Sequence, residues 1–266
     1  MYEFNYQKAT SIADAAAKLG TGEDARLLAG GQTLIAAMRL RLAAPTDVID
    51  LSGISGLRGI KAGNDGITIG AMTTHAEVAS SQDVKEQIPA LAALAESIGD
   101  PMVRNMGTIG GSVANNDPAA DYPAGLVGLA ATVKTNQREI TADDFFTGMF
   151  MTALEPGEII ESIRFPKPAR AAYMKFANPA SRYAIVGVLV AQTGDAVRVA
   201  VTGAGASVFR VPEMEKALAA KFSPDAISGI SVASDELNAD IHASAGYRAH
   251  LVTVMAKRAV ERALAG

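Results

Sequence analysis

The sequence predicts an α+β protein of two parts, and three observations support this prediction. Short apolar runs that alternate like strands are interspersed with alanine- and leucine-rich stretches of helical period. Their order does not follow the strict strand–helix repeat of a parallel βαβ fold. Pro166 and Pro168 interrupt the chain between strand-like segments, and proline cannot donate to a sheet. We therefore expect one domain over residues 1–168 and a second over residues 169–266.

The first elements are expected to form a β–turn–α–β unit. Ser11 and Asp14 have the spacing of a capping box at the start of an alanine-rich helix, which Gly20 should end. The segment ARLLAGG is typical of a strand that runs into a Gly30-Gly31 turn. The segment QTLIAAMRLRL has helical spacing, and DVIDL is again typical of a strand. These elements predict a first subdomain of about residues 1–53.

The second subdomain, about residues 54–168, is predicted to begin with a β-hairpin. Two alternating segments flank Asn64-Asp65-Gly66, which is a strong hairpin signal. Two helical segments follow, HAEVASS and IPALAALAESIG, and Pro89 suits the first turn of the second one. After the glycine-rich stretch RNMGTIGGSVANNDPAADYP, an apolar helix in DYPAGLVGLAA leads into strands around TVKTNQREI and EIIESIRF.

The second domain is predicted to pack an antiparallel sheet against helices. Strand patterns lie in AAYMKFA, AIVGVLVAQ and VRVAVTGAG, and helical patterns lie in VPEMEKALAAKF and SPDAISGI. A last helix should run from about residue 243 to residue 265. Its expected apolar stripe includes Leu251, Val254, Val260 and Leu264.

Composition excludes several classes of function. With 49% hydrophobic residues among 266, the chain can bury a large core. The net charge of −4 comes from interspersed charges without a basic block, which argues against binding to nucleic acid. No apolar run approaches the roughly 20 residues of a membrane span, and the N-terminus does not resemble an export signal, so we expect a cytoplasmic protein without a transmembrane segment.

The chain contains no cysteine. It can therefore form no disulfide, no thiol nucleophile and no thiolate-held zinc or iron–sulfur site. We expect no metal site in this chain, and any metal redox centre must lie on another polypeptide.

Two glycine pairs are candidate phosphate-binding segments. Backbone amides can bind a diphosphate closely where no Cβ blocks the approach, and the start of a helix favours an anion. Gly30-Gly31 lies between a strand and a helix, and Gly110-Gly111 is flanked by Thr108 and Ser112. Either pair alone is also typical of an ordinary turn. In the segment that follows, the amide of Asn115 and the carboxylates of Asp117 and Asp121 could hold sugar hydroxyls or the polar edge of a heterocycle.

The motifs LLAGGQTLI and RNMGTIGGSVANNDPAADYPA closely resemble those of the FAD-binding medium subunit of molybdenum-containing hydroxylases. This group includes aerobic carbon monoxide dehydrogenase and xanthine dehydrogenase. The resemblance covers essentially the whole chain, from ATSIADAAAKL through GEIIESIRFP and AAYMKFANPASRYAIVGVLVA to the last helix. It implies a two-part FAD-binding domain of the vanillyl-alcohol oxidase type, followed by a smaller α+β domain, with FAD between the parts.

The resemblance also implies the residues that bind FAD. From the first glycine turn, the diphosphate and ribityl region would be wrapped by Leu27, Leu28, Ala29, Gly30, Gly31, Gln32, Thr33 and Leu34. From the second segment, the binding residues would be Thr108, Ile109, Gly110, Gly111 and Ser112. Substitution of either glycine of the second pair by valine would then abolish FAD retention in a folded chain.

Further positions match the family outside the glycine segments. Asp121 corresponds to an aspartate that binds the adenosine part or the ribityl hydroxyls, and Ile98 would line the pocket. Ile160 and Lys175 match positions that pack beside or bond to the flavin ring, and Tyr183 resembles an aromatic residue that covers it. The first turn has no histidine or cysteine for a covalent link, which favours non-covalent FAD.

Other motifs favour ordinary structural roles. Gly203-x-Gly205 lacks the third glycine of a dinucleotide-binding turn, so we interpret it as the end of a strand. The three histidines, His75, His242 and His250, are too dispersed for a metal cluster and are expected to be capping or surface residues.

The resemblance implies an electron-transfer role without a catalytic acid or nucleophile in this chain. A large partner subunit would hydroxylate substrate at a molybdenum–pterin centre, and a small partner with two [2Fe-2S] clusters would pass electrons to FAD. A quinone, NAD or oxygen would be the external acceptor, and the assembly would be a dimer of heterotrimers. Two alternatives stay open, a free-standing flavin oxidoreductase on the same fold and a non-catalytic nucleotide-binding module.

Overall fold

The computed structural model describes residues 1–266 and begins with a three-stranded parallel sheet. Its strands, in spatial order β1-β3-β2, are β1 (Asn5–Lys8), β2 (Ala25–Leu28) and β3 (Asp47–Asp50). The connecting helices are α1 (Ile12–Thr21) and α2 (Leu34–Arg39), which confirms the predicted β–turn–α–β order. The Ser11 hydroxyl caps α1, but Gly20 does not end the helix, because it does not adopt the left-handed conformation that favours glycine there.

A five-stranded antiparallel sheet follows. Its strands are β4 (Ile60–Gly63), β5 (Gly66–Gly70), β6 (Thr132–Thr135), β7 (Glu139–Thr141) and β10 (Ile160–Pro166). A separate short hairpin, β8 (Phe146–Gly148) and β9 (Met151–Thr152), lies between β7 and β10 in the chain. The sheet order is β4-β5-β10-β6-β7, while β8 and β9 pair only with each other. The hairpin predicted around residues 64–66 is confirmed.

Short helices cover this second sheet. They are α3 (His75–Ser80), α4 (Gln82–Gln87), α5 (Pro89–Glu96), α6 (Pro101–Met106), α7 (Ile109–Asn115), α8 (Tyr122–Gly128) and α9 (Ala142–Phe145). The sequence patterns did not predict α4, α6, α7 or α9. The second glycine pair therefore lies in the first turn of a helix, α7, and not in a loop turn.

The C-terminal part contains a four-stranded antiparallel sheet. Its strands are β11 (Arg170–Ala177), β12 (Ala184–Thr193), β13 (Ala196–Thr202) and β14 (Phe209–Arg210), and its helices are α10 (Pro212–Ala220) and α11 (Ala245–Ala265). The segment SPDAISGI forms only a 3-10 turn over Pro224–Ile227 instead of the predicted helix.

The stripe predicted for α11 is half correct. Leu251 and Val260 are buried, whereas Leu264 is 48% exposed and Val254 is only partly buried. At about 100° per residue, these two side chains fall outside the arc centred on Ala259, which is the buried face. None of the helices combines the length and apolar character of a membrane-spanning segment.

The sheet of the C-terminal part is covered on both faces. One face packs on α10 and α11, while Tyr173, Leu189 and Ala200 on the other face join the core of the second sheet and its helices. Residues 184–191 of β12 are accordingly all buried. This shared core fixes β11 and β12 against α5 and α8, where the candidate site lies.

Candidate functional site

A cleft of about 870 Å³ is lined by all three parts of the chain. The first sheet contributes the turn between β2 and α2, and the helical layer contributes the segment around the start of α7. The loop between β11 and β12 contributes Ser181, Arg182 and Tyr183. A cleft of this size is in the range of cofactor sites.

Folding brings the two glycine segments into contact. A Cβ on Gly30 would lie 2.1 Å from the carbonyl oxygen of Met106 and 2.8 Å from the Cα of Gly107. A Cβ on Gly111 would lie 3.5 Å from that of Ala29. The two segments therefore meet at one cleft, and Gly30 is required there because no side chain fits between them.

The first glycine turn offers a row of free donors. Its five residues Ala29, Gly30, Gly31, Gln32 and Thr33 all line the cleft, and none of their backbone amides donates to an acceptor within the protein. Gly31 has a φ of +71°, a conformation that glycine adopts without strain. Ala29, Gly30 and Gly31 are half-buried, and half-buried amides normally have partners, so the free amides of these three residues suit an anionic ligand.

The amides of the second segment are engaged, which corrects the expectation of a second cradle made of glycine amides. Ile109 donates to the carbonyl of Thr73 at 3.0 Å, and Gly110 donates to that of Ala71 at 2.9 Å. The amide of Gly111 donates to the capping hydroxyl of Thr108 at 3.2 Å. The cleft instead receives polar side chains from this segment, namely those of Thr108, Ser112 and Asn115.

The two glycines of the second pair differ in how closely the protein packs around them. A Cβ on Gly110 would lie 2.5 Å from the Cβ of Ala71 and 2.7 Å from its carbonyl oxygen, whereas Gly111 approaches Ala29 only at an ordinary contact distance. We expect Gly110→Ala to lower the free energy of unfolding by about 1–3 kcal/mol, because overpacking forces the backbone to shift. Valine at position 110 would therefore disturb the fold itself, contrary to the sequence-based expectation.

Gly111→Ala is the matched comparison for Gly110→Ala. Its closest contact is the Thr108 hydroxyl at 2.9 Å, which belongs to a side chain that can rotate. Chemical denaturation of both variants measures the difference, and equal stability of the two would contradict this assignment of the packing.

Seventeen of the twenty predicted site residues line the cleft. They are Leu27, Ala29, Gly30, Gly31, Gln32, Thr33, Leu34, Ile98, Thr108, Gly110, Gly111, Ser112, Asn115, Asp117, Asp121, Ile160 and Tyr183.

Three predicted site residues, Leu28, Ile109 and Lys175, do not line the cleft. Leu28 alternates with the lining residue Leu27 along a strand, so it points to the other face. Ile109 is fully buried in the main core. Lys175 points to the carbonyl of Ser97 and to the carboxylate of Asp121, behind the cleft wall.

Asp121 forms a buried polar cluster at the cleft wall. Its carboxylate accepts from the Tyr173 hydroxyl at 2.5 Å and lies 3.0 Å from the Lys175 ammonium. Burial raises the pKa of Asp121, and the charge of Lys175 opposes that rise. Burial also raises the pKa of Tyr173, with the charge of Asp121 adding to it, so the hydroxyl stays a donor. The cluster joins the start of α8 to β11 and orients the carboxylate beside the cleft.

The loop between β11 and β12 forms one edge of the cleft. Tyr183 is 47% exposed. Its partial burial raises the pKa of its hydroxyl, and the negative charges of Asp117 and Asp121 add to this rise. Asp117 accepts from the amide of Ala119 at 2.9 Å, which supports a positioning role in its loop. Arg182 reaches across to the carbonyl of Gly99 at 3.2 Å.

His75 is a cleft residue that sequence analysis missed. It was expected at the surface or as a cap, but it is 5% exposed, lines the cleft, and follows the true capping residue Thr74. Burial lowers the pKa of its imidazole to about 4, and the charge of Arg104 adds to this effect. The capping box Thr74–Glu77 predicts the helix start, but it does not indicate which way the first side chain points.

The buried His75 predicts a loss of stability in mild acid. Its folded-state pKa of about 4 lies below the ordinary 6.5, so the unfolded chain takes up the proton first as the pH falls. Its share of stability is complete above pH 6.5 and is lost towards pH 4, by about 3 kcal/mol in total. Urea unfolding of the wild type and of His75→Gln across this range measures it. An identical pH dependence of the two proteins would contradict this account.

The remaining sequence motifs lie outside the cleft. The amide of Gly203 donates to the carbonyl of Pro118 at 2.8 Å at the end of β13, which supports the interpretation of Gly203-x-Gly205 as a strand end. His242 is exposed, and His250 lies on an exposed position of α11. Neither lines the cleft.

The donor set of the cleft fits a dinucleotide with a diphosphate. The free amides of the first turn suit the phosphates, and the hydroxyls of Thr108 and Ser112 add donors from the facing segment. Leu27, Ile98 and Ile160 provide apolar wall for flat rings.

Comparison with known proteins identifies the family. A family described as the FAD binding domain in molybdopterin dehydrogenase matches residues 2–168. The chain belongs to this family. The resemblance expected from the two glycine motifs is confirmed, and FAD is the cofactor of the family's domain. The match ends where the sequence predicted a domain boundary, and that boundary itself stays a prediction.

Relatives of the chain in the molybdopterin dehydrogenases match it along nearly its whole length. The nicotine 6-hydroxylase medium subunit of Paenarthrobacter nicotinovorans is 38% identical over 97% of this chain and 96% of its own length. The carbon monoxide dehydrogenase medium chain of Afipia carboxidovorans is 37% identical over 98% and 97%, respectively. These relatives confirm that the chain is a subunit of an oxidoreductase.

Solved structures of molybdopterin dehydrogenases share the fold. A chain of a Cu,Mo-CO dehydrogenase in its cyanide-inactivated form has a TM-score of 0.89 at 34% identity, covering 100% of this chain and 99% of its own. A chain of quinoline 2-oxidoreductase from Pseudomonas putida 86 has a TM-score of 0.89 at 27% identity, with coverage of 99% and 98%. The predicted α+β fold class is confirmed.

Proposed function

We propose that this chain is the FAD-carrying electron-transfer subunit of a multi-subunit molybdenum hydroxylase. A large molybdopterin subunit passes electrons to the [2Fe-2S] clusters of a small partner subunit. This chain receives the electrons from those clusters and delivers them to an external acceptor. The partners assemble with it as a dimer of heterotrimers. The observation that carries the proposal is the row of free amides at residues 29–33, which meets the second glycine segment in a cleft large enough for FAD.

Residues of the first turn hold the diphosphate in this proposal. The amides of Gly30 and Gly31 donate to phosphate oxygens, because no Cβ prevents close approach and no protein acceptor competes. Thr108 and Ser112 donate from the facing segment through their hydroxyls. Since the first turn has no histidine or cysteine to form a covalent link, FAD binds non-covalently.

Residues at the other end of the cleft orient the rest of the cofactor. The Asp121 carboxylate, held by Tyr173 and Lys175, accepts from hydroxyl groups of the ribityl or ribose part. Ile160 packs beside the flavin ring, and Tyr183 at the cleft edge limits the access of water. When bound, FAD supplies a ring that can take up two electrons and release them to different acceptors.

Analysis of the native complex tests the proposal. The chain is purified from its source with its partners, and iron, molybdenum and flavin are quantified. We expect all three, with two further subunits, and bleaching of the flavin absorbance when the substrate of the complex is added without an acceptor. Adding a quinone, NAD or oxygen separately then identifies the acceptor by the return of the absorbance.

Two outcomes would contradict the proposal. A yellow protein that is active without partners would indicate a free-standing flavin oxidoreductase. A colourless protein that takes up no FAD would indicate a nucleotide-binding or assembly role.

A further inference from the structure

The Nδ1 atom of His75 is buried without a hydrogen-bond partner at the wall of the cleft. An unpaired buried polar group is costly, and native proteins contain few of them. The Nε2 atom lies on the other edge of the ring, where a Cβ on Gly107 would approach it to 2.6 Å. Because Gly107 packs against Gly30, this edge of the imidazole lies where the two glycine segments meet.

The neighbouring ring, that of Tyr122, carries a hydroxyl that also lacks a hydrogen-bond partner. Tyr122 is fully buried, its hydroxyl also has no partner, and its ring centroid lies 5.3 Å from that of His75 at an angle of 50°. Burial raises the pKa of Tyr122, so its hydroxyl remains a donor, while burial keeps His75 neutral with one acceptor nitrogen. The two unpaired atoms thus lie on adjacent rings and have complementary roles, one as donor and one as acceptor.

We propose that His75 binds the diphosphate of FAD as a neutral donor through Nε2–H, and that the Tyr122 hydroxyl holds it in this tautomer by donating to Nδ1. His75 is thus a cofactor-binding residue and Tyr122 a positioning residue. The inference rests on the placement of FAD in this cleft.

The surrounding charge supports an anion at this position. Arg104 lowers the pKa of His75 through its positive charge, so its guanidinium acts on the same region. That guanidinium hydrogen bonds to the carbonyls of Ile98 and Gly99 and forms no ion pair with a carboxylate. A cation without a carboxylate partner, close enough to act on His75, favours an anionic group over a sugar beside this imidazole.

Titration of the flavin-free full-length protein with FAD tests the donor. His75→Phe keeps an aromatic ring against Tyr122 but removes the donor, and His75→Gln places an amide N–H near the position of Nε2. We expect His75→Phe to raise the Kd for FAD by about 10- to 100-fold, because one hydrogen bond to a charged group is lost. His75→Gln should restore most of the affinity. Equal affinities of Phe and Gln variants would overturn the donor role.

Competition by ADP tests whether His75 contacts the diphosphate or the flavin ring of FAD. ADP carries the diphosphate without the flavin ring, so the Phe variant should weaken ADP competition by a similar factor. Loss of FAD affinity with unchanged ADP affinity would overturn the placement at the diphosphate.

Nitrogen NMR of the imidazole tests the role of Tyr122. In the wild type, His75 should show a protonated Nε2 and an unprotonated Nδ1. The Tyr122→Phe variant should lose this preference, and chemical denaturation of that variant checks that it is folded. A proton on Nδ1 in the wild type would overturn the proposed arrangement. Failure of the wild type to bind FAD would instead contradict the function proposed above, so the two failures are distinguishable.

Discussion

Gly30→Ala is expected to abolish retention of FAD. The new Cβ would lie 2.1 Å from the Met106 carbonyl oxygen and 2.8 Å from the Cα of Gly107, so the two segments must separate. Both contacts are with backbone, which cannot rotate away as a flexible side chain can. Separation of the segments misplaces the free amides of the turn, and a loss of about 3 kcal/mol corresponds to more than a hundredfold in affinity. Flavin content after gel filtration and FAD titration by calorimetry measure the effect.

Gly20→Ala is the control for Gly30→Ala. Gly20 lies in α1, no atom lies within 4 Å of the added Cβ, and alanine is the better helix former. The control should bind FAD like the wild type and be equally or more stable. Normal flavin content in Gly30→Ala, with a folded chain, would rule out the turn as the binding element.

Lys175→Met is expected to have the largest effect on stability. It leaves the carboxylate of Asp121, 4% exposed, without its counter-charge, and such changes cost about 3–5 kcal/mol. Because Lys175 is itself only 7% exposed, solvent does little to screen the loss. Chemical denaturation at pH 8 should show the decrease in the free energy of unfolding.

The double variant Asp121→Asn with Lys175→Met should recover most of that stability, since neither charge remains buried alone. The double variant also distinguishes the loss of the ion pair from the loss of side-chain packing as the cause of the lower stability. If the double variant is as unstable as Lys175→Met, the loss comes from packing and not from the unpaired carboxylate.

The pH dependence of Lys175→Met gives an independent check. Burial raises the pKa of Asp121, and removal of Lys175 takes away the charge that opposes this rise. A folded-state pKa above the unfolded value means that the folded protein binds the proton more readily, so stability is gained as the pH falls through the folded pKa. The variant should therefore be more stable at pH 5 than at pH 8, relative to the wild type at the same pH.

The first β–turn–α–β unit and the hairpin were predictable because their signals are local. Alternation, helical spacing and turn residues such as Asn64-Asp65-Gly66 act within a few residues. The same is true of the free turn at Gly30-Gly31, since a strand followed by two glycines and a helix start defines it. The family motifs then supplied the cofactor that these elements could bind.

The segment around Gly110 shows where local signals were insufficient. Its glycines suggested free amides, but those amides bond to Ala71 and Thr73, which are far away in sequence. Lys175 likewise matched a position near the flavin, whereas its ammonium lies behind the cleft wall against Asp121. Partners of this kind depend on the packing of several elements.

By itself, the sequence determined the α+β class, the cysteine-free chemistry of the chain and the glycine turn that presents amides to a cofactor. Only the tertiary structure decided that His75 lines the cleft and that the second glycine pair serves close packing. The physical reason is that composition and turn conformation are properties of a few adjacent residues. Burial and hydrogen-bond partners are set by atoms that only folding brings within 3 to 4 Å of each other.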